Sequence, residues 1–104
     1  MPYAFSQDMP VRKDMYTTLS DQIGDQAPQG LIVHLAFETP TGMRIVDLWE
    51  SEEDFDRFSE QRLRPVMDKT LQAAGVTRES LGTSDEEDLT PVEVLGTTIP
   101  RRKF

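Results

Sequence analysis

The stretch "LIVHLAFETPTGMRIVDLWESEEDF", residues 31–55, decides the fold. It contains two apolar segments, residues 31–38 and 43–50, separated by "TPTG", whose length and composition are typical of a hairpin turn. An antiparallel pair of strands is therefore predicted. The same stretch holds the only histidine and the only tryptophan of the chain, His34 and Trp49.

The length of the turn determines the register of this hairpin. With four residues in the loop, Glu38 faces Met43, and each strand can be counted back from that pair. A one-residue slip would turn every side chain to the opposite face of the sheet. The remaining predicted pairs are Phe37 with Arg44, Leu35 with Val46, His34 with Asp47, Val33 with Leu48, and Ile32 with Trp49.

This register divides the hairpin into two unlike faces. The aliphatic face is predicted to lie under helices, and the mixed face, with its two ionisable groups, is predicted to look away from them. A mixed face this apolar is not expected to remain in water, so something else should cover it. The aliphatic face comprises Leu31, Val33, Leu35, Phe37, Val46 and Leu48, and the mixed face comprises Ile32, His34, Ala36, Ile45, Asp47 and Trp49.

A short strand and a helix are predicted before the hairpin. Residues 3–8 form a poorly alternating segment that fits a strand. From Pro10 onward an apolar residue recurs every four positions, which predicts a helix of about four turns that ends at Gly24. Tyr16 lies beside the apolar stripe of this helix, which consists of Val11, Met15, Leu19 and Ile23.

A second helix is predicted after the hairpin. Ser51 is placed as its cap, with Asp54 three positions on and further acids in the first turn. Pro65 removes a backbone donor in the middle, so the helix should kink or split there. Gly75 is expected to end it.

The remaining residues are predicted to form an acidic loop and a last strand. Residues 76–88 are polar, and their densest acidic run, residues 83–88, lacks the alternating oxygen ligands and central glycine of a calcium loop. Residues 90–99 fit a strand. Pro91 lacks a backbone N–H, but it lies near the start of the strand, where a missing donor is tolerated. A basic tail closes the chain at residues 100–104.

The order strand, helix, strand, strand, helix, strand predicts one α+β domain over residues 1–104. It is the split βαβ pattern of a ferredoxin-like sandwich, in which a four-stranded antiparallel sheet carries both helices on one face and leaves the other open. With 104 residues and 37% hydrophobic content, the chain has little core of its own. We therefore expect a second copy to cover the open face, making a homodimer.

Composition disfavours or excludes several kinds of partner and site. A net charge of −8 argues against nucleic acid and anionic membranes, because both would repel the chain. The absence of cysteine excludes disulfides and thiolate sites. The amino terminus does not resemble a secretory leader, and no apolar run reaches about 18 residues, so a cytoplasmic protein is expected.

The segment "VDLWESEEDFDRF", residues 46–58, resembles the strand-to-helix signature of the dimeric α+β barrel superfamily, and within it the antibiotic biosynthesis monooxygenase-like proteins. The order of elements from Tyr3 to Ile99 and the helix opening "DMPVRKDMY" extend this resemblance over nearly the whole chain. The resemblance implies a dimeric barrel and a cofactor-free monooxygenase or cyclase. One departure is that many members carry a histidine where this chain has Phe58.

His34 and Asp47 are the candidate catalytic residues. As a pair across the two strands, the carboxylate would fix the tautomer of the imidazole and raise its basicity. Such a base could remove a phenolic or α-carbon proton from an aromatic or polyketide-like molecule, whose carbanion would react with oxygen or close a ring. Neither route needs a metal or an organic cofactor. The residues predicted to bind the substrate are Trp49, Ile32, Ala36, Ile45 and Tyr16.

Other interpretations of the same residues remain open. His34 and Asp47 could be a satisfied structural pair, with Trp49 as a core filler, in a non-catalytic dimeric barrel that binds a small hydrophobic metabolite or serves as an interaction scaffold. A metal would need more ligands than one histidine and one carboxylate, and a haem would need that histidine as its axial ligand. Arg62, Arg64 and the basic tail could hold an anion or remain solvated charges. The acidic run could dock a basic partner.

Overall fold

The computed structural model describes residues 2–76, 85–96 and 100–104 and shows an antiparallel sheet of four strands with helices packed on it. The strands are β1 (Tyr3–Met9), β2 (Leu31–Thr39), β3 (Gly42–Trp49) and β4 (Asp85–Leu89), and the helices are α1 (Lys13–Ile23), α2 (Glu52–Phe58) and α3 (Arg64–Ala73). The strands lie in the order β2-β3-β1-β4. This arrangement confirms the predicted α+β, ferredoxin-like sandwich, with the second helix divided into α2 and α3.

The hairpin of β2 and β3 pairs almost as predicted. The predicted pairs are observed from the turn as far as Val33 and Leu48. Beyond them the register shifts, so that Leu31 rather than Ile32 lies opposite Trp49. A β-bulge, which adds one residue to β2, accounts for the shift. The predicted partner of Ile32 was therefore wrong, because alternation along a strand does not reveal an inserted residue.

The helices cover the mixed face of the hairpin. Ile45, Asp47 and Trp49 are buried, whereas Leu35 and Phe37 on the opposite face are 43% and 50% exposed. The predicted sidedness was therefore wrong, since the mixed face was expected to look away from the helices. The aliphatic face is the open one.

Aromatic packing explains why the mixed face is the covered one. The ring of Trp49 has its centroid 5.5 Å from the rings of both Phe55 and Phe58, on the helix that follows it. Phe5 of β1 adds a further contact, 4.9 Å from Phe55. Burying large rings removes more apolar surface from water than burying aliphatic side chains, so this cluster outweighs the aliphatic face.

The second helix is split near Pro65, as predicted. Ser51 caps α2, and its Oγ accepts a hydrogen bond from the backbone N–H of Asp54 at 3.2 Å. A π-helical turn, Ser59–Leu63, separates α2 from α3. In a regular helix the proline ring would collide with the carbonyl four residues earlier, and the wider π turn relieves that collision. No helix in the described part of the chain is long and apolar enough to span a membrane.

Arg62, in the π-helical turn, is hydrogen-bonded to the end of α1. Its Nη2 donates to the backbone carbonyl of Ile23 at 2.8 Å and to that of Gln26 at 3.2 Å. These carbonyls belong to the last turn of α1 and the residues just after it, where acceptors lack a partner within the helix. Arg62 therefore holds neither an anion nor a neighbouring acid by these bonds.

The last strand begins earlier than predicted. β4 pairs antiparallel with β1 and contains residues 85–88 of the acidic run, which was predicted to be a solvated loop. Residues 77–84 of that predicted loop lie outside the described part of the chain. Residues 90–96, predicted to belong to the last strand, have no regular secondary structure, and residues 97–99 lie outside the described part of the chain. An edge strand needs only one partner, so exposed charges are tolerated there. Pro91 has no N–H with which to continue the pairing.

Candidate functional site

Four side chains form a continuous series of hydrogen bonds between the sheet and α1. The indole Nε1–H of Trp49 donates to Oδ2 of Asp47 at 3.0 Å. The other carboxylate oxygen, Oδ1, lies 2.6 Å from Nδ1 of His34. Nε2 of the same imidazole lies 2.7 Å from the hydroxyl of Tyr16. We call Tyr16, His34, Asp47 and Trp49 the hydrogen-bond chain.

The sheet register brings three members of the hydrogen-bond chain together. His34 and Asp47 lie directly opposite each other on β2 and β3, as predicted. Asp47 and Trp49 are two positions apart and therefore share a face of β3. Tyr16 reaches them from α1, and its ring is tilted by only 15° from the imidazole plane. The four residues predicted for the polar part of the site are thus assembled, on the covered side of the sheet.

The hydrogen bonds determine where the protons lie when the imidazole is neutral. A carboxylate can only accept, so Nδ1 of His34 carries the hydrogen that is donated to Asp47. Nε2 is then an acceptor, and the hydroxyl of Tyr16 donates to it. Both oxygens of the Asp47 carboxylate are occupied by N–H donors. This pairing explains how a carboxylate that is only 6% exposed is tolerated in the core.

The hydrogen-bond chain runs from the core towards the surface. Trp49 is 1% exposed and Asp47 is 6% exposed. The side chain of His34 is 40% exposed, and Tyr16 is half-buried. Trp49 therefore has no free ring face against which a ligand could stack, which contradicts the role predicted for it. Its indole orients the carboxylate instead, and the accessible end of the chain is at His34 and Tyr16.

The environment of Tyr16 favours its protonated form. Burial raises the pKa of the phenol, and the negative charge of Asp47 raises it further, while the positive charge of Arg101 acts in the opposite direction. With a pKa above its usual value near 10.0, Tyr16 is a neutral hydrogen-bond donor at neutral pH. The bond to His34 thus has a defined direction, from the phenol to the imidazole.

The basic tail lies along the end of α1. Nη1 of Arg101 is 2.5 Å from Oδ1 of Asp25, and Lys103 pairs with Asp21. Asp25 is 86% exposed, so its ion pair contributes little to stability. The two ion pairs instead hold the basic tail in place, so that the charge of Arg101 is close enough to act on Tyr16. The sequence analysis did not predict this proximity. The opposite charges of the acids at the end of α1 and of the basic tail could have indicated it.

The aliphatic residues predicted to bind substrate are divided between the core and the surface. Ile45 is buried on the face of the hydrogen-bond chain. Ala36 lies opposite it on β2 and is exposed. Ile32 is 37% exposed at the bulge, out of the register that was predicted for it. Ile45 and Ala36 therefore adjoin the hydrogen-bond chain on the same face of the sheet.

An open depression of about 600 Å³ lies between the start of α1 and the end of β2. It is open to solvent along most of its surface, and no member of the hydrogen-bond chain lines it. It therefore does not enclose a ligand next to His34. Its lining consists of Arg12, Lys13, Asp14, Thr17 and Glu38.

Within residues 2–76, 85–96 and 100–104, no three carboxylate or imidazole side chains are grouped so that they could hold a metal ion. The carboxylate of Asp47 has hydrogen bonds to both of its oxygens, and the imidazole of His34 to both of its nitrogens. All four of these atoms are therefore occupied by partners within the protein.

The chain matches no protein-family model and no curated protein sequence. Its three-dimensional arrangement, however, matches several solved structures. A putative antibiotic biosynthesis monooxygenase from Bacteroides thetaiotaomicron aligns with a TM-score of 0.65 at 14% identity, over 94% of this chain and 95% of that one. Rv0793 from Mycobacterium tuberculosis aligns with a TM-score of 0.58 at 19% identity, over 92% of this chain and all of that one.

A third match is SnoaB from Streptomyces nogalater, a cofactor-independent oxygenase. It aligns with a TM-score of 0.58 at 15% identity, over 92% of this chain and 98% of that one. Identities this low establish a common fold, and the chain has the fold of antibiotic biosynthesis monooxygenase-like proteins.

Proposed function

We propose that this protein is a small cofactor-independent enzyme that removes a proton from an aromatic or polyketide-like molecule. The resulting carbanion reacts with oxygen or closes a ring. The observation that carries the proposal is the imidazole of His34, held 2.6 Å from a buried carboxylate and 2.7 Å from a phenol. The fold shared with SnoaB, a cofactor-independent oxygenase, supports the same class of reaction.

The arrangement is suited to general base catalysis. The Asp47 carboxylate accepts from Nδ1, which leaves Nε2 to take up a proton and stabilises the imidazolium that forms. Trp49 keeps the carboxylate in place through its second oxygen. A positioned base of this kind accelerates proton transfer by about 10² to 10⁴-fold.

Anthrone is a suitable probe for this chemistry. Its methylene group lies between two aryl rings and is acidified by the carbonyl, so loss of a proton gives a delocalised anion. In heavy water without oxygen, we expect the protein to accelerate exchange of the methylene hydrogens for deuterium, measured by NMR. With oxygen admitted, one anthrone and one O₂ give one anthraquinone and one water. Exchange no faster than in buffer containing an equal concentration of imidazole would contradict the proposal.

The second candidate is a non-catalytic dimeric barrel that binds a small hydrophobic metabolite or serves as a scaffold. It is favoured by the open depression, which does not include His34. In that case the hydrogen-bond chain serves to satisfy a buried carboxylate. The anthrone experiment separates the two candidates, because a scaffold would leave the exchange rate at the buffer value.

We also propose that the open face of the sheet pairs with a second copy of the chain. Leu35 and Phe37 are exposed there. Arg44 pairs with Asp8 at 2.7 Å on the same face. A two-fold axis through this face would bring apolar surface towards apolar surface.

Replacing Phe37 with aspartate is expected to convert a dimer into a monomer, because the change replaces an exposed apolar ring of the open face with a charge. Sedimentation equilibrium of the wild type and the variant measures the molar mass. Glu38→Gln is the matched control, because Glu38 is the next residue on β2 and lies on the other face. A monomeric wild type, or a dimeric Phe37→Asp, would show that this face does not pair.

A further inference from the structure

We infer that Tyr16 is the residue that exchanges a proton directly with the substrate, and that His34 acts behind it. This inference rests on the proposed function and adds a catalytic residue to it. Tyr16, His34 and Asp47 would then work as a relay, with the phenol at the substrate end and the carboxylate at the buried end.

The contacts of His34 carry the inference. Nδ1 is 2.6 Å from Asp47 and Nε2 is 2.7 Å from the hydroxyl of Tyr16, so neither ring nitrogen is free to meet a ligand. A substrate proton could reach the imidazole only if the Tyr16 hydroxyl moved away or passed its own proton on. The second route leaves every hydrogen bond of the chain in place.

Burial places the accessible end of the hydrogen-bond chain at the bond between His34 and Tyr16. Trp49 and Asp47 are buried, and the bond between His34 and Tyr16 is the most exposed of the three hydrogen bonds. A molecule arriving from solvent therefore meets this bond before it meets Asp47 or Trp49. Ala36, which is also exposed, lies two positions beyond His34 on β2.

The proton transfers balance without a further reactant. The substrate C–H gives its proton to the Tyr16 oxygen, and the electron pair of that bond remains on carbon. At the same time the Tyr16 O–H gives its proton to Nε2 of His34. The products are a substrate carbanion, a neutral phenol and an imidazolium that donates to the Asp47 carboxylate. The net charge of the site and its substrate is unchanged.

The electrostatics of Tyr16 suit a coupled transfer. Burial and the charge of Asp47 both disfavour a free phenolate. The phenol therefore releases its proton to His34 only as it receives one from the substrate. The positive charge of Arg101, held by Asp25, acts on the Tyr16 phenol in the opposite direction.

The experiment compares Tyr16→Phe with Tyr3→Phe in the anaerobic exchange of anthrone. Tyr16→Phe removes one hydroxyl and keeps the ring, so the packing of α1 is preserved. Tyr3 is the only other tyrosine of the chain, packs against Phe5 and Phe55, and has no role in the hydrogen-bond chain. Circular dichroism and thermal melting verify that both variants fold, and calorimetry measures their affinity for anthrone.

We expect Tyr16→Phe to reduce the exchange rate about a hundredfold or more, with the dissociation constant of anthrone changed less than threefold. Tyr3→Phe should keep the wild-type rate. A Tyr16→Phe variant that exchanges anthrone at the wild-type rate or faster would overturn the inference alone, because His34 would then act directly. A wild type without exchange activity would overturn both the inference and the proposed function. Equal losses in the two tyrosine variants would also overturn the inference.

Discussion

The exchange rate of anthrone is expected to fall by about two orders of magnitude or more when His34 is replaced with asparagine. The asparagine amide can still donate to Asp47 from near the position of Nδ1, so the buried carboxylate keeps a partner. It cannot take up a proton at neutral pH. The loss of a hundredfold corresponds to about 2.7 kcal/mol of barrier. Anaerobic NMR exchange with anthrone, on protein of verified fold, measures the effect.

The matched control for His34→Asn is Glu38→Gln. Glu38 lies four positions along the same strand, on the same face, and is exposed. Replacing Glu38 with glutamine removes a nearby negative charge and alters no residue of the hydrogen-bond chain. The control should exchange anthrone at the wild-type rate. If His34→Asn did so as well, the imidazole would not be the base, and a purely structural role for the pair would be favoured.

Trp49→Ala is expected to reduce the free energy of unfolding by about 3–5 kcal/mol. The indole is 1% exposed and packs between Phe55 and Phe58, so its removal leaves a large cavity. The same change takes a hydrogen-bond donor from Asp47, which is buried. Since domains of this size are stabilised by only about 5–15 kcal/mol, much of the fold's stability would be lost.

Trp49→Phe separates the packing from the hydrogen bond. It keeps an aromatic ring in the cluster and removes only the N–H, so a smaller loss of about 1–3 kcal/mol is expected. Urea denaturation of the wild type and both variants, at one protein concentration, measures the difference. A Trp49→Ala variant whose free energy of unfolding lies within about 1 kcal/mol of the wild-type value would show that the indole does not stabilise the core.

The local signals in the sequence predicted most of the fold. Ser51 is the cap it was expected to be, and Pro65 interrupts the helix it was expected to interrupt. The hairpin placed His34 opposite Asp47 because its short loop left little freedom in the register. These signals act over a few residues, and tertiary packing did not override them.

The sidedness of the sheet depended on distant residues and was not predicted. Alternation along β3 shows that Asp47 and Trp49 share a face, but it does not show which face the helices cover. Phe55 and Phe58 settle that question by packing on the indole. The two ionisable groups suggested an open face, yet Asp47 is buried because N–H donors occupy both of its oxygens.

The last strand escaped prediction for a different reason. Acidic residues have low strand propensity, so the run at residues 83–88 did not look like a strand. Pairing with β1 supplies the backbone partners that composition does not indicate. The strand propensity of a residue depends on what surrounds its side chain, and at the edge of a sheet the surroundings are largely water.

The charges on β4 affect how copies of this protein can meet at that edge of the sheet. β4 is one of the two edge strands of the described sheet, the other being β2, and its free backbone groups could template another strand, as in a fibre. Glu86, Glu87 and Asp88 are exposed along this edge, and an identical edge would bring the same charges. Mutual repulsion therefore discourages copies from joining edge to edge.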